Sequence, residues 1–85
     1  MTVENDLILE CDQLAKLLVS KNKKYGNSAL DPVRVFSKAT TEEQILVRMD
    51  DKLSRIKNGA ADEDEDPLQD LAGYLILLLV HRKSK

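Results

Sequence analysis

Cys11 is the only cysteine in this 85-residue chain, which excludes an intramolecular disulfide. Nothing covalent can therefore supplement a core that a chain of this length builds only in part, since about 60 to 65% of the unfolded surface is buried at this size. Help from a partner is expected, and Cys11, lying in an apolar helical pattern, reads as a small hydrophobe. There is one histidine, His81, near the carboxyl end, where it complements a helix dipole. With no second imidazole, no triad of nucleophile, base and orienting acid can be assembled. Glycine is also scarce, and the spacing of the three present makes no phosphate-binding loop of the nucleotidase kind. No apolar run approaches the roughly 20 residues that a membrane span requires. The start, MTVENDLILECDQ, has no basic opening and is interrupted by acids, so no secretion or targeting segment is expected and the expected location is the cytoplasm. The net charge of −2 argues against general coating of nucleic acid, and it is compatible with a small anionic ligand on a local basic patch.

What is present reads as helix. Apolar residues at Val3, Leu7, Cys11, Leu14 and Leu18, widened by Ile8, Ala15 and Leu17, predict a first helix over residues 3–22. Thr40 and Glu43 have the spacing of a capping box. They open a second helix running to Asn58, with Ile45 or Leu46, Met49, Leu53 and Ile56 as its core stripe and Gly59 as its exit. Asp66 and Pro67 suit the cap and first turn of a third helix, and the bases of its HRKSK tail complement the carbonyl end. No strand-like alternation, internal repeat or low-complexity tail appears. The expected fold is one all-α domain over residues 1–85, three helices with an ordered loop between the first and the second.

The third helix bears on assembly. From Leu71 to Val80 every residue is apolar except Gly73 and the half-polar Tyr74, so hydrophobicity wraps the whole helix. Two neighbours in so short a chain cannot cover it, and a dimer or tetramer formed through this helix is expected. A fully enclosed core helix in a monomer is the alternative.

Chemistry concentrates between Lys21 and Lys38, in KNKKYGNSALDPVRVFSK. Lys21, Lys23, Lys24, Arg34 and Lys38 supply charge for a phosphate, Tyr25 and Phe36 supply faces for a base, and Asn27, Ser28 and Ser37 supply directional hydrogen bonds. That set suits a nucleotide; a solvated basic connector is the plain alternative. On the second helix Arg48, Lys52 and Arg55 share a face, with Asp51 spaced to pair with Arg55. These charges either stay solvated in weak exposed pairs or converge with the loop's bases on phosphate oxygens. The acidic run from Asp62 to Asp66 has the look of a metal site, yet adjacent acids in a loop usually remain solvated, and a nearby helix start gives them a structural role. Asp66 and Asp70, with Asp50 or Asp51, could instead hold magnesium in a hydrolase.

In the order KYGNS, DPVRVFSKA, VRMDDKLSRI and EDPLQDLAGYLILL, the chain resembles the family of small phage and prophage proteins called nucleotide modification associated domain 1, over most of its length after Asn22. The resemblance implies an all-helical, phage-linked protein that handles nucleotides in the cytoplasm of a bacterial host. It also implies kinship with anti-defence sponges, small phage proteins that bind cyclic dinucleotide immune signals in a multimer and keep them from host effectors. Matched by position, the family pattern falls on Tyr25, Gly26, Ser28, Pro32, Arg34, Phe36, Ser37 and Lys38, then on Arg48, Asp51, Lys52 and Arg55, and ends on Asp70 and Tyr74. A weaker resemblance to the all-α nucleotide pyrophosphohydrolases of the MazG type rests on the acid-bearing last helix. The chain departs from that family's pattern of Glu-Glu-x-x-Glu on one helix and Glu-x-x-Asp on the next: Glu42-Glu43 is followed by Leu46 where a third acid is wanted, and Pro67 stands three residues before Asp70.

The expected function is sequestration of a nucleotide, by the resemblance a cyclic dinucleotide, without hydrolysis. The expected ligand-binding residues are Lys24, Tyr25, Asn27, Ser28, Arg34, Phe36, Ser37, Lys38, Arg48, Lys52 and Arg55, supported by Asp51, Asp70 and Tyr74. Stacking falls to Tyr25 or Phe36, phosphate to Arg34, Lys38, Arg48 and Lys52, and base or ribose edges to Ser28 and Asn27. Phe36 is equally a candidate for the core, and Asp70 with Tyr74 for bracing Arg55 or Lys52 from beneath. No catalytic residue and no cofactor are expected. A magnesium-dependent pyrophosphohydrolase with Asp51, Asp66 and Asp70 as ligands is the first alternative, and a protein-interaction module whose loop docks an acidic partner is the second. Neither a membrane nor an extended nucleic acid is expected as a partner.

Overall fold

The computed structural model describes residues 2–59 and 66–84. The acidic run at residues 62–65, weighed above as a metal site, lies outside the described residues. Among the described residues there are three helices and no strand: α1 (Val3–Tyr25), α2 (Thr41–Asn58) and α3 (Pro67–Lys83). Each helix start is closed by a short oxygen-bearing side chain. Asn5 N donates to Thr2 Oγ1 at 3.2 Å, Glu43 N to Thr40 Oγ1 at 3.1 Å and Gln69 N to Asp66 Oδ1 at 3.2 Å, contacts worth about 1 kcal/mol each.

The helix α1 runs three residues beyond the expected Asn22. Lys23 and Lys24 fall in its last turn, where bases complement the exposed carbonyls, and Gly26 at φ +63° provides the left-handed exit. The first part of the basic segment is therefore helix, and the connection begins at Gly26. Asn27 is left-handed too, at φ +64°. Its N–H donates to Asn22 O at 3.1 Å, and its own carbonyl accepts from Leu30 N at 3.2 Å and Asp31 N at 2.9 Å, so the chain turns sharply off the end of α1.

Ion pairs at both ends register α2 against α3 as an antiparallel pair. Arg82 Nε lies 3.1 Å from Glu42 Oε1, and Lys52 Nζ lies 3.3 Å from Asp70 Oδ2. This register corrects the expected core stripe of α2. Ile45 is 1% exposed, but the other residues buried on α2 are Thr41 and Lys52, while Leu53 and Ile56 are exposed. The helix is turned so that the aliphatic stem of Lys52 packs inward and its ammonium reaches Asp70.

Among the described helices, α1 packs against α3 and not against α2. The two cross at Gly73, where a Cβ would stand 3.1 Å from Leu18 Cδ2. Alanine in mid-helix normally gains about 1 kcal/mol over glycine. Gly73→Ala should fall short of that gain in urea unfolding, because Leu18 must move to admit the methyl group; a full gain would show that the crossing is looser than described.

Ile45 and Leu78 are the buried hydrophobic residues among those described. The Cα radius of gyration, 14.3 Å, exceeds the roughly 12 Å of a compact domain of this length. The exposed surface is 6886 Å², against about 5,100 Å² for a compact monomer of this mass, an excess of about 1,800 Å². The fold leaves much apolar surface uncovered, including Leu75, Ile76, Leu79 and Val80 on α3.

Candidate ligand pocket

A cavity of about 330 Å³ opens where the end of α1, the turn after it, α2 and the start of α3 come together. Its volume sits at the small end of the range for small-molecule sites. The floor is apolar, made by Leu14, Leu17 and Leu18 of α1 with Gly73 and Leu77 of α3. The glycine crossing thus sets the depth. The rim is polar: Lys21, Asn22 and Tyr25 from the last turns of α1, Ser28 from the turn, Arg48 from α2, and Gln69, Asp70 and Tyr74 from α3. The paired left-handed residues Gly26 and Asn27 are what bring Ser28 across the mouth.

Asp70 organises the charge. Its side chain is 18% exposed and sits between Lys52 Nζ at 3.3 Å and Lys21 Nζ at 3.6 Å. Lys52 is nearly enclosed, and a buried ammonium requires a counter-charge. Asp70 supplies it and also draws Lys21 toward the cavity. Arg48 lines the cavity and makes no ion pair or hydrogen bond with any described residue. Its guanidinium is available for an anion in the bidentate geometry that suits phosphate. Tyr25 offers one ring face at the rim, and the ammonium of Lys24 lies 5.4 Å from that ring's centroid.

The expected site residues divide into two sets. Tyr25, Ser28, Arg48, Asp70 and Tyr74 line the cavity together. Lys24, Asn27, Arg34, Phe36, Ser37, Lys38, Asp51, Lys52 and Arg55 do not line it. Arg34 ties the connection to the start of α2, donating to the carbonyl of Ala39 and, at 2.6 Å, to Oγ1 of the buried Thr41; Gln44 Nε2 reaches the same carbonyl at 3.1 Å. Ser37 Oγ accepts from Ala39 N at 3.1 Å. Phe36 is 98% exposed and belongs to neither core nor cavity. Arg55 pairs with Asp51 at 3.1 Å along α2. Lys21, one of the bases expected to supply charge for a phosphate, is on the rim although it is not in the expected binding set, and Asn22 and Gln69 join it there. The spacing 14, 18, 21, 25 continues the apolar stripe of α1 into Lys21 and Tyr25, and that continuation is the signal that places both at the cavity.

Of the carboxylates considered for magnesium, Asp51 pairs with Arg55, Asp66 caps α3 and Asp70 lies between two lysines. Among the described residues no three of His, Cys, Asp and Glu come together as a metal site. Among the described residues no helix is long and apolar enough to cross a membrane. The fold and the cavity together define a small all-helical protein with an apolar-floored pocket rimmed by cations and phenols. Comparison with family models, curated proteins and solved structures finds no match.

Proposed function

We propose that this domain binds a nucleotide in the cavity between α1, α2 and α3 and holds it intact. The observation that carries the reading is the combination on one rim of an uncommitted arginine, Arg48, with Lys21 and the phenols Tyr25 and Tyr74. Arg48 and Lys21 take the phosphate, Tyr25 stacks on the base, and Ser28 reads a polar edge. Arg34, away from the cavity, acts as a brace of the connection. Sequestration is favoured over hydrolysis because Asp51, Asp66 and Asp70 are committed to cations or to a helix cap and do not assemble as a ligand set. The resemblance to phage nucleotide-handling proteins and anti-defence sponges, which points to a cyclic dinucleotide in the cytoplasm of an infected bacterium, supports the same reading. The half-exposed apolar face of α3, Leu75, Ile76, Leu79 and Val80, supports an assembly in which another copy covers it.

The test is incubation of the purified chain with linear mononucleotides and cyclic dinucleotides, with and without magnesium, read by thermal shift and by chromatography of the recovered ligand. A ligand present at 100 times its Kd stabilises by about 2.7 kcal/mol, which raises the melting temperature of a chain this small by roughly 10 to 20 °C. The expected result is that shift with the nucleotide recovered unchanged. Magnesium-dependent release of a monophosphate or pyrophosphate would replace the proposal with the hydrolase, and no shift with any nucleotide would favour the protein-interaction module.

A further inference from the structure

The volume of the cavity limits how much of a nucleotide it can take, and its charge limits which phosphate. At about 330 Å³ it lies at the bottom of the range for small-molecule sites, roughly 300 to 1,000 Å³. The floor of Leu14, Leu17, Leu18 and Leu77 suits one flat, weakly polar body, and Tyr25 offers that body a stacking face at the rim. That is room for a single base.

Among the described residues three charged side chains line the cavity, Lys21, Arg48 and Asp70. The nearer partner of Asp70 is Lys52, at 3.3 Å and largely shielded from solvent, with Lys21 at 3.6 Å on the rim. Asp70 is thus held first by Lys52, and Lys21 and Arg48 are the cations that meet a ligand. Two cations on the rim of one small cavity match a doubly charged group, and the arginine fork can engage two phosphate oxygens at once. A phosphate monoester fits that description, with a charge of about −1.5 to −2 at pH 7 and three acceptor oxygens. A phosphodiester carries a single charge.

Resting on the nucleotide reading above, we infer that the ligand is a nucleoside monophosphate. Its base lies on the apolar floor against Tyr25, and its terminal phosphate monoester is held by Arg48 and Lys21. A triphosphate carries its further charges past these two cations, and no other described lining residue is basic. A cyclic dinucleotide, to which the resemblance points, brings two bases and two singly charged diesters to a cavity sized for one base.

The test is titration calorimetry on the full chain at about 0.15 M salt, which screens loose attraction between exposed charges. For each common base it compares the nucleoside, its 5′-monophosphate, the methyl ester of that monophosphate, the 5′-triphosphate and the cyclic dinucleotide. The methyl ester keeps base, sugar and phosphorus and lowers the charge to −1, so it isolates the monoester. The monophosphate of at least one base should bind about tenfold more tightly than its methyl ester, with the triphosphate no tighter. Lys21→Met should narrow that preference to about threefold, whereas a loss through folding would weaken both ligands alike. A methyl ester bound as tightly as the monophosphate, a triphosphate or cyclic dinucleotide bound more tightly, or a preference unchanged in Lys21→Met would overturn this inference and leave the nucleotide reading standing. Binding of none of the phosphorylated ligands would overturn both.

Discussion

Asp70→Ala should cost the fold about 2 kcal/mol, because it removes the shielded carboxylate that pairs with the enclosed ammonium of Lys52 and ties α3 to α2. The expected loss is large for a domain whose whole stability is on the order of 5 to 15 kcal/mol. The pair is well shielded, with the Lys52 side chain 10% exposed and that of Asp70 18%. The loss is therefore not screened away as an exposed pair's would be. Lys21, on the rim, can follow the solvent once Asp70 is gone, so the penalty comes from the lost contact between α2 and α3. Combining Asp70→Leu with Lys52→Met removes both charges and should restore most of the stability, since a well-packed apolar pair is often as good as a buried ion pair. Urea unfolding of the single and double variants checks both statements. A single variant within about 0.5 kcal/mol of the wild type would show that the pair does not hold α2 to α3.

Arg48→Ala should weaken nucleotide binding by about 10- to 100-fold, the loss of a charge-assisted contact worth roughly 1.5 to 3 kcal/mol. It should do so with little change in melting temperature of the unliganded protein, because Arg48 is exposed and pairs with no described residue. Arg34→Ala should behave in the opposite way. Its guanidinium braces Ala39 and Thr41 and does not line the cavity, so removing it should lower stability while leaving affinity nearly unchanged. Titration calorimetry on both variants separates the roles. Equal losses of affinity would place the phosphate nearer the connection than the cavity.

The contrast between these two arginines shows what was legible in the sequence. Caps and exits depend on residues three or four positions apart, and Thr40, Gly59, Asp66 and Pro67 could be read directly. The end of α1 lies three residues beyond the expected one because Lys23 and Lys24 suit a phosphate-binding loop and a helix ending before glycine equally well. The orientation of α2 was not legible. Its inward face is chosen by Asp70 on another helix, and an intrahelical period ranks Leu53 and Ile56 above Lys52. The same reason hid the role of Arg34, whose partners are selected by the path of the backbone between residues 34 and 41. Residue chemistry pointed to Tyr25, Ser28, Arg48, Asp70 and Tyr74 one at a time. That they meet at a single cavity follows from the crossing of α1 over Gly73, and no local pattern encodes that crossing.

The central claim is that the cavity between α1, α2 and α3 is where a nucleotide sits, and amide chemical-shift mapping of the isotopically labelled chain with the most strongly stabilising nucleotide tests it most directly. The account predicts the largest perturbations at Lys21, Tyr25, Ser28, Arg48, Asp70 and Tyr74, with residues 34–38 little affected. Perturbations confined to residues 34–38, or none at saturating nucleotide, would contradict it.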